Sequence, residues 1–279
     1  MIIRTIKPLD FNFIIGLAAL ENIKYSKKDL KRIIDFEPEG CFIALDGEQR
    51  LGIVTTITYG NVGWIGNLLV ERSTRRRGTG TKLVKEALEY MQKKDVKIPK
   101  LYCFLNRVAF YRKLGFKTEI NVQVMVGKGR KTSFSEVNKL PEETLDEILL
   151  LDKKIFGADR SRLLHKLHQE FPKNCFTAYH KKKLVGYIMA NGSEDEYELG
   201  PCVCLPKYQS RYGEQLLKAG INSLDKKIID LSIPLNNKIK EILVNYGFKK
   251  QRIAVRMGCK DSSLGNIEGI LGIAGLDKG

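Results

Sequence analysis

The stretch WIGNLLVERSTRRRGTGTKLVKEAL, residues 64–88, decides how this chain is read: an apolar strand-like run passes through a basic turn into an amphipathic helical pattern. In Arg75-Arg76-Arg77-Gly78-Thr79-Gly80-Thr81 two glycines let the backbone approach a ligand without side-chain obstruction. The helix that follows aims its free N–H groups and the positive end of its dipole at the same place. The turn therefore predicts an anion site. It is not a P-loop, because the Gly-x4-Gly-Lys spacing is missing, and not a dinucleotide fingerprint, because Leu83 stands where the third glycine belongs.

Outward from this turn, the chain repeats itself. Phe42-x-Ala44 recurs as Phe176-x-Ala178, Gly52 as Gly186, Leu83 as Leu216, and Gly115-Phe116-Lys117 as Gly247-Phe248-Lys249, in the same order at nearly constant offset. Two copies of one unit follow, at 1–128 and 133–260, joined by the glycine-rich basic segment GKGRKTS, 127–133. In the first copy periodicity predicts a strand at 2–6, helices at 10–21 and 27–35, strands at 41–46, 50–58 and 62–71, a helix at 79–93, a strand at 101–105, a helix at 108–114 and strands over 116–126. Ser26 with Asp29 three residues on opens the second helix as a capping pattern. The second copy predicts helices at 141–156 and 160–170, strands at 175–180, 184–190 and 196–204, a helix at 211–224, a strand at 228–233, a helix at 236–246 and strands to 259. Antiparallel strands first and strand–helix–strand units later give the α+β class, each copy a mixed, mostly antiparallel sheet flanked by helices. The glycine-rich apolar tail, 261–279, gives no periodicity from which to read a packing partner.

Lys and Arg exceed Asp and Glu by 48 to 32, so the field of the molecule favours anionic partners. No apolar run approaches the roughly 20 residues of a spanning helix, and membrane association is not expected. The six cysteines form no CxxC and no metal spacing with histidine, so no metal is expected, and they read as buried thiols of a cytoplasmic protein.

The residues at 70–80 resemble the signature of the GNAT superfamily of N-acetyltransferases, V-x-P-x-x-[RQ]-x-x-G-x-[GA]. Val70, Arg75, Gly78 and Gly80 hold their places, and Arg72 replaces the proline. A second signature, a tyrosine before [KR]-x-G-F, is similar to Ala109-Phe110-Tyr111-Arg112-Lys113-Leu114-Gly115-Phe116. The resemblance extends over the chain as a tandem arrangement of two GNAT-like domains, and it implies acetyl-coenzyme A as co-substrate. Its pyrophosphate would lie on the turn amides, with Leu68, Leu69, Val70, Arg75, Arg76, Arg77, Gly78, Thr79, Gly80, Thr81 and Asn106 as the cofactor-binding set. Tyr111 would protonate the departing thiolate and the Val70 amide would face the thioester carbonyl. The strand centre, where family members often carry an acid, reads Gly66-Asn67-Leu68. Asn67 can orient a water or the amine but cannot be the base, so no base is named.

The second copy departs at the turn, where Arg211 replaces the first glycine of the pair ending at Gly213, and at Leu243, which takes the place of Tyr111; Asn236 and Gly247-Phe248 persist. The first copy is therefore expected to be catalytic and the second to close the acceptor cleft, with Asp159, Arg160, Glu198 and Gly200 as acceptor contacts. The acceptor would be a small-molecule or peptide amine. Two other readings compete: a nucleic-acid or ribosome-binding protein, motivated by basic runs at 72–77, 93–100, 128–131 and 181–183 but disfavoured by their lack of interleaved aromatics, and a coenzyme A-binding regulator without turnover.

Overall fold

A computed structural model describes residues 1–193, 195–259 and 264–279. Positions 261–263 at the start of the expected tail, and Lys260 at the end of the second copy, lie outside the described residues. The first copy runs β1 (Ile2–Thr5), α1 (Phe11–Ala19), α2 (Lys27–Phe36), β2 (Phe42–Asp46), β3 (Gln49–Tyr59), β4 (Val62–Val70), α3 (Thr79–Lys93), β5 (Ile98–Phe104), α4 (Val108–Arg112) and β6 (Lys117–Lys128). The second runs β7 (Val137–Lys139), α5 (Leu145–Phe156), α6 (Ser161–Glu170), β8 (Phe176–His180), β9 (Lys183–Ser193), β10 (Glu196–Cys204), α7 (Gln209–Ser223), β11 (Ile228–Pro234), α8 (Asn237–Asn245) and β12 (Lys249–Gly258), and β13 (Ile270–Gly272) follows. The α+β class holds. Among the described residues only β4–β5 and β10–β11 pair parallel; the remaining pairs are antiparallel.

The sequence landmarks occupy equivalent places in the two copies. Ala44 pairs with Gly52, and Ala178 with Gly186, in the same register. Gly115 and Gly247 both take a left-handed φ, +88° and +83°, in the turn before the last strand. Ser26 opens α2 as read: its hydroxyl accepts from the Asp29 amide, and the Asp29 carboxylate accepts from the Ser26 amide. Two strands escaped the reading, β7 and β13, both three residues long and too short to show alternation.

The larger departure is in the topology. All the strands join one sheet in the order β1-β2-β3-β4-β5-β12-β6-β11-β10-β9-β8-β7, with β13 on β10. The last strands of the two copies are exchanged: β12 pairs with β5 of the first copy, and β6 pairs with β11 of the second, while β6 and β12 pair with each other. The division at 128/133 thus separates the repeats along the chain but not the two halves of the sheet.

The exchange is bound by charge as well as by backbone. Lys100 on β5, whose side chain is fully buried, donates to Glu119 on β6, and Arg256 on β12 donates to the same carboxylate at 2.8 Å. Burial pushes the Lys100 ammonium below its ordinary pKa. Glu119→Gln removes the carboxylate that Lys100 and Arg256 share and is expected to cost about 3 kcal/mol, read by urea unfolding of the full chain.

Helix α3 covers one face of the first half-sheet and α1 with α2 the other. The seam between the halves is itself a core: Tyr59, Trp64 and Tyr102 pack with Phe156, Leu163, Leu164 and Tyr187, and Ile273 and Ala274 of the tail join them. Trp64 is fully buried, with ring centroids 5.9 Å from Tyr102 and 5.6 Å from Phe156, a packing anchor. No helix among the described residues is long and apolar enough to cross a membrane, and five of the six cysteines are buried.

Candidate active site

The site begins with an irregularity in β4. Pairing with β3 jumps from Leu69↔Ile53 to Gly66↔Thr55, so Asn67 and Leu68 together face Val54, a bulge that puts Asn67 at φ +49°. Pairing with β5 ends at Ile65↔Leu101. Beyond that point the two strands separate and open a wedge whose edges carry unpaired backbone groups.

The wedge leads to the turn. Gly78 sits at φ +87° as the N-cap of α3, which has no side-chain cap, so the first amides of the helix are left for another acceptor. A Cβ at Gly80 would meet Phe110 at 3.5 Å and Val70 at 3.6 Å, ordinary contacts. The fold itself therefore tolerates a side chain there, and the glycine keeps space for something the chain does not supply.

Wedge and turn belong to one cleft of about 1260 Å³, lined among others by Asn67, Leu68, Leu69, Val70, Arg75, Arg76, Gly78, Gly80, Thr81, Asn106 and Tyr111. Arg77 and Thr79 are not on its wall; Thr79 is buried at the first position of α3 and Arg77 is exposed. Arg75 lines the cleft but its guanidinium is committed: Nε donates to the Val70 carbonyl at 2.9 Å and Nη2 to Glu21 at 2.6 Å. It braces the end of β4 against the segment after α1 and holds the Glu21 carboxyl below its ordinary pKa. Arg72, at the proline place, does similar work on the Leu20 carbonyl, 2.7 Å away. Arg76, Arg107, Lys113 and Arg252 complete a basic rim, a field suited to a polyphosphorylated ligand.

Tyr111 is buried against Phe110 and Phe116, with ring centroids at 4.9 and 5.9 Å. Its hydroxyl makes no hydrogen bond among the described residues, and burial pushes its pKa well up. It stays a phenol at neutral pH, a proton donor. Asn67 is held on three sides: Tyr25 donates to its Oδ1 at 2.7 Å, and its Nδ2 donates to Thr55 Oγ1 at 3.0 Å and to Asp277 Oδ2 at 3.3 Å.

The expected acceptor contacts require correction. None of Asp159, Arg160, Glu198 and Gly200 lines the cleft. Arg160 is buried in the seam, with Nε and Nη2 on Asp152 at 3.0 and 2.6 Å and Nη1 on the Gly279 carbonyl at 2.9 Å. Asp159 is exposed and accepts from the Ser161 amide at the start of α6. Glu198 faces Lys278 at 2.9 Å, and a Cβ at Gly200 would lie 1.9 Å from the Ile273 carbonyl oxygen. Segment 264–279 has taken the place between the halves. Gly66 makes room for it on the other side, where a Cβ would lie 2.6 Å from that of Asp277. The apolar glycine-rich tail carried no periodic signal for this path, although the paired glycines at 66 and 200, equivalent in the two copies, were visible.

The second copy forms the same wedge and fills it. β10 is irregular between Leu199 and Cys202, and its pairing with β11 stops at Glu198↔Asp230. Into the opening goes β13, with Cys202 against Gly272 and Val203 against Ile270, while the Ile273 amide donates to the Ser232 carbonyl of β11 at 2.9 Å. Arg211, at the replaced glycine, turns to Glu136, its Nε 2.9 and 3.0 Å from the two carboxylate oxygens. Leu243, at the tyrosine place, is fully buried.

A bulged strand, a wedge and an uncapped helix N-terminus, present twice in one sheet, define the class of tandem acyl-coenzyme A-binding folds. Comparison with known proteins agrees: residues 13–116 match the acetyltransferase (GNAT) family, and residues 148–270 match a second acetyltransferase (GNAT) domain. The chain belongs to the GNAT superfamily of acyltransferases as a tandem member. A holothin acyltransferase of a Pseudoalteromonas species is 23% identical over 176 residues, which span 62% of this chain and 59% of that protein. Among solved structures, a Pyrococcus horikoshii protein named as an acetyltransferase superposes with a TM-score of 0.81 at 21% identity, covering 100% of this chain and 95% of its own. A tandem GNAT protein from the clavulanic acid biosynthesis pathway gives 0.66 at 14%, covering 94% and 99%. Both likenesses are of fold.

Proposed function

We propose that this chain transfers the acetyl group of acetyl-coenzyme A directly to a primary amine, with the first copy as the catalytic one. The observation that carries this reading is that one wedge is open onto an uncapped helix N-terminus and Tyr111, while its counterpart is filled by the chain's own β13. The amides after Gly78 take the pyrophosphate, the unpaired edge of β4 takes the pantetheine arm, and the thioester carbonyl meets a backbone donor of the wedge. The amine nitrogen bonds to the carbonyl carbon, the carbon–sulfur bond breaks, and the Tyr111 phenol protonates the sulfur. No cysteine nucleophile is needed, which accords with the burial of Cys103 and the upward push on its thiol, to about 11.

Calorimetric titration of the full chain with coenzyme A is expected to give one site per chain. A stoichiometry near two would show that β13 and the Arg211–Glu136 pair do not close the second wedge, and would overturn the assignment of one catalytic copy. Amine-dependent thiol release from acetyl-coenzyme A separates the enzyme from a coenzyme A-binding regulator.

A further inference from the structure

The bulge of β4 offers Gly66, Asn67 and Leu68, none of which can take a proton from an amine. The structure nevertheless holds an acid at this place. Segment 264–279 passes between the halves and closes on itself, the Gly279 amide donating to the Gly275 carbonyl at 3.0 Å. It is pinned from both sides, by the Tyr59 hydroxyl on the Lys278 carbonyl at 2.8 Å and by Arg160 on the Gly279 carbonyl. The turn so fixed sets Asp277 against Gly66 and on the wall of the cleft that also holds Asn67 and Tyr111.

Resting on the function proposed above, we propose that the Asp277 carboxylate receives the acceptor's ammonium group and takes its proton, with Asn67 as the residue that positions it. Two independent features of the seam support this assignment. The first is orientation. The Tyr25 hydroxyl donates to Asn67 Oδ1, which fixes the amide so that its NH₂ faces Thr55 and Asp277. Asn67 thus spends one donor on Thr55 and one on the carboxylate, and Asp277 keeps lone pairs for a further donor. The second is charge. Lys278 lies between Asp277, 2.6 Å away, and Glu198, 2.9 Å away. Lys278 is thus held by both acids and is not an uncommitted cation facing an incoming amine, and the neighbouring Arg160 is neutralised by Asp152. On the cleft wall Arg252 is drawn onto the Phe104 ring, 4.4 Å from its centroid. A cationic amine entering between the halves meets its complement at Asp277.

The step balances. The ammonium gives one proton to Asp277, and the free amine attacks the thioester carbonyl. The carbon–nitrogen bond forms, the carbon–sulfur bond breaks, Tyr111 protonates the thiolate, and the second proton lost from nitrogen restores the phenol. Asp277 returns its proton to solvent, so each turnover releases amide, thiol and one proton.

The test uses n-butylamine, which carries an ammonium on an apolar stem and nothing else, with thiol release from acetyl-coenzyme A as the readout. The wild-type chain is expected to show butylamine-dependent release. Asp277→Asn, nearly isosteric, should lower kcat/KM for butylamine about 100-fold or more, with the acetyl-coenzyme A Kd unchanged within threefold. Asp277→Ala should lose the same activity and regain part of it with added formate, a rescue that a purely structural aspartate would not show. Asp277→Asn activity within threefold of wild type, an Asp277→Ala variant that stays folded without formate rescue, or a wild type that binds acetyl-coenzyme A without amine-dependent release would each overturn the assignment of Asp277. A wild type that does not bind acetyl-coenzyme A at all would instead overturn the function on which it rests.

Discussion

Gly80→Val is expected to weaken acetyl-coenzyme A binding by at least about 100-fold, roughly 2.7 kcal/mol, while the chain remains folded. The two glycines of the turn differ in what they tell. Gly78 holds φ +87°, so any side chain there strains the backbone whatever the ligand does. Gly80 lies within α3 at an ordinary helical φ, and a Cβ would touch Phe110 and Val70 at normal van der Waals distance. Replacing glycine inside a helix carries no propensity cost of its own, since glycine is among the poorest helix formers. What the valine does occupy is the approach to the amides of the first helical turn, where a pyrophosphate must come into hydrogen-bond range. Calorimetry gives the affinity and thermal unfolding checks the fold. An unchanged Kd with an unchanged Tm would remove the turn from the coenzyme site.

Tyr111→Phe is expected to lower kcat by about 10²- to 10⁴-fold with the acetyl-coenzyme A Kd held within threefold. The phenyl ring keeps the contacts with Phe110 and Phe116, so packing is preserved. Only the hydroxyl goes, and that hydroxyl has no hydrogen-bond partner among the described residues to lose. Tyr111 lines the cleft, where its hydroxyl can meet a partner that arrives with the substrate. A loss of less than threefold would return Tyr111 to a packing role.

Much of the first copy was legible from local signals. The strand–glycine turn–helix at 64–88 and the capping pair Ser26 and Asp29 each depend on residues a few positions apart, and each forms as read. The acceptor side was not legible in this way. Arg160 and Glu198 were read as acceptor contacts, yet both are spent inside the seam, on Asp152 with Gly279 and on Lys278. A charged residue in a sequence does not announce whether its partner lies in water or 80 positions away.

By itself, then, the sequence determined that two copies of one fold are present and that only the first carries a glycine pair at the turn and a tyrosine before its Gly-Phe motif, because these are properties of short spacings. Tertiary structure decided the rest. Strands β6 and β12 end equivalent copies, so local pattern cannot say which sheet half each will join, and only packing across the seam with Lys100, Glu119 and Arg256 selects the exchange. The aperiodic segment 264–279 likewise acquires its meaning from distant partners. Its β13 closes one wedge against Cys202 and Val203, and its Asp277 brings a carboxylate to the other beside Asn67, 210 residues earlier in the chain.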